Sequence, residues 1–174
     1  NKLARTVAAA EFRPGNRRVV HHAVFFLDNT GEARQKDDGE AGPGYTSFGG
    51  PGFIPTGGLG GWAPGYEPQF LPDGLGAYLR PETDLVMQVH YHPNGKPERD
   101  QSQVGIYFTR KPVERLVTGI ALMNPRLAIP PGATRHEVRA EATIPVDVTV
   151  TGIAPHMHLL GREMKVTATK PDGD

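Results

Sequence analysis

Seven histidines occur in the chain, and six of them fall into three pairs: His21 with His22, His90 with His92, and His156 with His158. Imidazole binds metal ions, moves protons near neutral pH and makes hydrogen bonds in cores. The spacing of the pairs narrows the choice. His156 and His158 follow the Val/Thr-rich run that begins at Val146, and His90 and His92 end the run Asp84-Leu-Val-Met-Gln-Val-His-Tyr-His. Successive side chains along a strand alternate faces, so an i,i+2 pair shares one face with Cα atoms roughly 7 Å apart. Two rings at that separation can lean onto one ion. His21 and His22 are vicinal within the apolar run Val19–Leu27, and strict alternation sends them to opposite faces. Joint ligation by that pair requires a strand end, a bulge or a strong twist.

The donor set limits the metal. No cysteine is present, so disulfides and thiolate sites are excluded. Imidazoles clustered on strands without carboxylate partners suit copper better than calcium or magnesium, and zinc remains compatible. Other chemistries find little support. No serine stands in a nucleophile-elbow context. The glycine-rich segment lacks the Gly-Lys-Ser/Thr ending of a phosphate loop. A formal net charge of zero gives no electrostatic reason to expect nucleic acid or an anionic membrane as partner, and no apolar run is long enough to cross a bilayer.

The elements that must position these histidines read as strands. Short Val, Ile, Thr and aromatic runs broken by 22 glycines and 17 prolines predict an all-β fold with long loops. Val19–Leu27 is apolar on both faces, which predicts a strand buried between two layers. Further strands are expected at Ala77–Leu79, Asp84–Pro93 and Val104–Thr109, and then over 116–123, 127–132, 136–144, 146–153 and 165–169. Residues 1–18 are mixed, with a turn over 13–18, and residues 28–45 read as a polar surface loop. Residues 39–65 carry 11 glycines and 4 prolines among 27 positions, which predicts a long loop without regular structure. Trp62 with Phe53, Tyr66 and Phe70 would anchor it. The charged stretch Arg110–Arg115, with Pro112, reads as a linker. It divides the chain into a first domain over 1–112 and a second over 113–174.

Three motifs in order carry a family resemblance: Val20-His21-His22, Gln88-Val89-His90-Tyr91 and His156-Met157-His158-Leu-Leu-Gly161. Their intervals are 68 residues from His22 to His90 and 66 from His90 to His156. Trp62-Ala-Pro, Leu71-Pro-Asp-Gly74-Leu-Gly76, Phe108-Thr109-Arg110 and Ile129-Pro130-Pro131-Gly132 fall between them in matching order. This ordered set, over residues 10–174, resembles the copper type II, ascorbate-dependent monooxygenases. The resemblance implies two jelly-roll-like β-sandwich domains with one copper each, the second domain truncated here. It implies that His21, His22 and His90 hold the electron-supplying copper. His156 and His158 would be catalytic, as ligands of the copper that meets dioxygen and a small-molecule or peptide substrate. It also implies two copper ions, ascorbate as reductant and a secreted or periplasmic setting.

The departures from that family pattern are specific. Its third ligand to the second copper is a methionine well downstream of the His-x-His motif, whereas this chain ends 16 residues after His158 and Met164 does not match. The family's disulfides are absent. Ala154 stands where the peptide-hydroxylating member grips a carboxylate with arginine. Of three readings of His92, an alternative ligand, a hydrogen-bonding neighbour of the first site or a surface residue, the last two are preferred, and His136 reads as a surface or packing residue. An alternative function is a copper-binding or electron-transfer β-sandwich that does not hydroxylate.

Overall fold

The computed structural model of the chain describes residues 3–124, 126–157 and 159–173. It divides into two compact units, Asn1–Ile120 and Ala121–Asp174.

The first unit is an all-β sandwich. Its strands are β1 (Arg5–Arg13), β2 (Val20–Asp28), β3 (Gly57–Trp62), β4 (Gly74–Leu79), β5 (Asp84–Tyr91), β6 (Gln103–Phe108) and β7 (Val113–Leu116), with one helix, α1 (Glu32–Asp38). One sheet has the order β6-β1-β4-β7 and the other β3-β2-β5. All pairings are antiparallel except β4 with β7. Val7, Phe12 and Leu79 of the first sheet pack between the layers with Val20, Ala23, Phe25 and Leu27 of the second. Trp62 lies against Phe12 with ring centroids 5.1 Å apart, and Phe12 against Phe25 at 5.8 Å. Burial of these side chains is what holds one sheet on the other.

Three strands depart from expectation. β1 is Ala-rich, and β-branched residues are what a strand signal rests on; its burial in the centre of a sheet supplies what propensity does not. β3, Gly-Gly-Leu-Gly-Gly-Trp, lies inside the segment expected to be irregular. A Cβ on Gly61 would stand 2.6 Å from the Ala23 carbonyl oxygen, so glycine is what lets β3 approach β2. β7 takes up the second half of the expected linker and belongs to the first unit, where it extends the sheet beyond β4. The first unit therefore continues past residue 112 to Ile120.

Helix α1 replaces part of the polar loop, and Asp28 explains its start. This carboxylate is 1 % exposed. It accepts from the Thr30 amide at 2.8 Å, the Thr30 hydroxyl at 2.7 Å and the Ala33 amide at 2.8 Å. Gly31 stands at the N-cap and offers no side chain, so Asp28 satisfies a first-turn N–H from outside the helix. Burial pushes its pKa up, but the N–H and O–H donors from Ala33 and Thr30 outweigh that and leave it lowered. A depressed folded pKa contributes stability that is full above the unfolded value, about 3.9, and is lost as pH falls through the folded value. Acid titration followed by amide exchange is expected to release Ala33 and Thr30 only once pH has fallen below the ordinary carboxylate range, and Asp28→Ala to release them at neutral pH.

The second unit differs from the expected sandwich. Among its described residues no strand forms over 127–132, 136–144, 146–153 or 165–169. Turns close at Asn124–Leu127, Pro130–Ala133 and Lys170–Gly173, and Asn124 Nδ2 donates to the Arg139 carbonyl at 3.0 Å. Val146, Val148 and Val150 keep their alternation but stay exposed. Alternation specifies a strand only where a neighbouring strand and a second layer receive it.

Candidate metal centre

β2 and β5 build the site, and a defect in their ladder makes it possible. Inward-facing Ala23, Phe25 and Leu27 of β2 alternate with His22, Val24 and Phe26 on the outer face. On β5, inward Leu85, Met87 and Val89 alternate with Gln88 and His90. His22 and His90 are direct cross-strand partners, so both rings leave on one face. The pairing Val20↔Tyr91 is followed by His22↔His90, which leaves His21 without a partner residue in a register shift. This is the bulge that vicinal ligation requires: one extra residue turns His21 to the side of His22.

Side-chain nitrogens of His21, His22 and His90 all lie within 4.8 Å of one another. The ring centroids are 5.1 Å apart for His21 and His22, 5.3 Å for His21 and His90, and 4.7 Å for His22 and His90. Every pair meets edge to face, at interplanar angles of 65°, 72° and 74°. His21 Nδ1 and His22 Nδ1 are 3.0 Å apart. Without a metal, that distance requires one Nδ1 to carry a proton and the other to accept it. Two nitrogens each about 2.0–2.1 Å from one ion stand about 2.9 Å apart at a right angle and about 3.4 Å apart at the tetrahedral angle. The observed His21–His22 spacing falls within the range that two nitrogens on one ion occupy. His21 and His90 are exposed and His22 is half-buried, so the cluster is open to solvent.

Neighbouring residues fix the strands rather than join the cluster. Gln88 Nε2 donates to Ser47 Oγ at 2.7 Å and to the Gly50 carbonyl at 2.8 Å, fastening the glycine-rich loop to β5. Tyr91 faces away from His90, and its hydroxyl donates to Asp100 Oδ2 at 2.9 Å. Burial and then that bond push its pKa up to about 12, so it remains a donor at neutral pH. His92 is exposed outside the three-histidine group, and its amide donates to the Val19 carbonyl at 2.7 Å.

The other pair falls in the second unit. His156 is exposed there, and His158 lies outside the described residues. Met157 and Met164 are exposed, as is His136.

The resemblance gave the three histidines, and the vicinal spacing named a strand end, a bulge or a strong twist as the means of bringing two of them together; it did not decide among these. No residue type signals a bulge at His21; the register against β5 creates it. No protein-family model, no curated protein and no solved structure matches the chain.

Proposed function

We propose that this chain is a copper-dependent monooxygenase, or the copper-bearing part of one, that hydroxylates a substrate C–H with dioxygen and takes electrons from ascorbate. One observation carries the reading: the nitrogens of His21, His22 and His90 converge within 4.8 Å at a bulge. The ordered histidine motifs, resembling those of the copper type II monooxygenases with their jelly-roll-like domains, supply the class. His21, His22 and His90 are the residues that would hold the electron-supplying ion, and copper bound there provides one-electron redox chemistry. The three side chains bring nitrogen donors only, and their exposure leaves the position open to a small reductant. His156 and His158 are assigned to the dioxygen-binding ion by the motif they form. Ala154 brings no cation to the position where a peptide carboxylate would be gripped, so a substrate without a terminal carboxylate suits the chain better.

Trp62 is the single tryptophan and pairs with Ala23, the residue after His22. Titration with Cu²⁺ is therefore expected to quench its fluorescence, with an end point that metal analysis confirms. The copper-loaded protein is then expected to consume oxygen when ascorbate and a substrate are present. Electron transfer without hydroxylation is the second reading. It is favoured by the fact that one unit holds all three imidazoles by itself. Copper uptake and reduction by ascorbate, with no substrate-dependent oxygen consumption, would select it.

A further inference from the structure

The three imidazoles stand near the ends of β2 and β5, where strands ordinarily fray. Something must hold those two ends together, and the opposite side of the strand pair carries a polar network that does so. Asp100 is its centre. Its Oδ1 accepts the Asn16 amide at 2.8 Å. Its Oδ2 accepts the Tyr91 hydroxyl at 2.9 Å, the Ser102 hydroxyl at 2.8 Å and the Ser102 amide at 3.3 Å. Tyr91 directly follows His90. Asn16 leads into the histidine pair: its carbonyl accepts the Val19 amide at 3.3 Å and the Val20 amide at 3.0 Å, one residue before His21.

Asn16 is itself held from three further directions. Its Nδ2 donates to Glu98 Oε2 at 3.2 Å and to the Arg99 carbonyl at 3.1 Å, and its Oδ1 accepts the Arg18 amide at 3.1 Å. The neighbouring Gly15 donates its amide to Ser102 Oγ at 3.2 Å. A Cβ on Gly15 would stand 2.5 Å from the Gln101 carbonyl carbon, so the turn before β2 lies directly on the 98–102 segment. One carboxylate thus ties the entry of β2 to the exit of β5.

We propose that Asp100 is a positioning residue for the three-histidine centre. By holding Asn16 and Tyr91 at once, it fixes the bulge at His21 against His90 and so sets the separation of the three imidazoles. This rests on the metal reading above, and it concerns a carboxylate bonded to Asn16, Tyr91 and Ser102. The charge of Asp100 suits it to this position, since a carboxylate accepts four donors where an amide oxygen has fewer lone pairs to offer.

The test compares the full chain with Asp100→Ala, Tyr91→Phe and Asp73→Ala. The last removes a carboxylate paired with Lys111 on the surface, and serves as the control. Three readouts are taken: Cu²⁺ affinity, the electron paramagnetic resonance spectrum of bound Cu²⁺, and amide exchange at Val20 and His92. Asp100→Ala is expected to weaken copper binding about tenfold, the low end of what loss of a supporting partner costs at metal sites, and to alter the spectrum. Tyr91→Phe, which removes one arm only, should move both in the same direction by less, and it decides the matter if Asp100→Ala does not fold. Asp73→Ala should change neither. Wild-type affinity and spectrum in both clamp variants would overturn the proposal, as would a loss of stability with an unchanged spectrum. If the unaltered chain takes up no copper, the metal reading fails on that result alone. Amide exchange would still judge the clamp, because unchanged rates at Val20 and His92 in Asp100→Ala would refute it.

Discussion

Replacing His90 by alanine is expected to cost the protein one equivalent of copper while leaving the sandwich folded. The side chain is exposed and lies on the outer face, away from Phe25 and Leu27, so its removal opens no cavity. Surface substitutions of this kind usually shift stability by no more than about 0.5 kcal/mol. The effect on the metal is of another order. Two imidazoles from one bulge remain, and the ion loses the only donor from β5. Affinity should fall further than the roughly 10–100-fold that follows loss of a supporting partner. His21→Ala should behave the same way, since the bulge places its ring in the same group. His92→Ala is the control: it sits two residues from His90 on an exposed segment but outside the cluster. Metal analysis after dialysis, with circular dichroism as the check on folding, separates the outcomes. Unchanged copper content in His90→Ala and His21→Ala would remove the assignment.

The second large effect is on stability. Phe25 is 2 % exposed at the centre of β2, against Phe12 and beside Ala23 in one cluster. Phe25→Ala is expected to destabilise the first unit by about 3–5 kcal/mol, from lost burial and the cavity left behind. Single domains are stable by only about 5–15 kcal/mol, so this is a large share of the whole. Phe48→Ala provides the contrast: its side chain is 90 % exposed on the glycine-rich loop, and the change should be within about 0.5 kcal/mol. Urea unfolding of the two variants measures the difference. Because Val20 and Ala23 share the Phe25 cluster and flank the histidine pair, Phe25→Ala should also weaken copper binding. Equal midpoints for the two variants would mean that the core does not lie between these sheets.

The sequence by itself determined the all-β class, because apolar runs of strand length bounded by turn residues have no other ready way to bury themselves. It also singled out His21, His22 and His90, through ordered motifs that resemble those of the copper type II monooxygenases; spacing alone paired His90 with His92. It placed β2, β5 and β6 within a residue or two from their apolar runs. What it did not determine depends on partners distant in the chain. β1 and β3 are weak strands by composition, made into strands by neighbours that accept their backbone groups; β3 needs its glycines to approach Ala23. β7 resembles a charged linker until β4 offers it an edge. The alternating valines at 146, 148 and 150 show the converse, a strand pattern that stays exposed and unladdered. The site divides along the same line. Residue identity supplied the donors, but the convergence of two vicinal rings depends on a one-residue slip between β2 and β5. Only tertiary structure decides such a slip, because register is a property of a pair of strands and is written in neither alone.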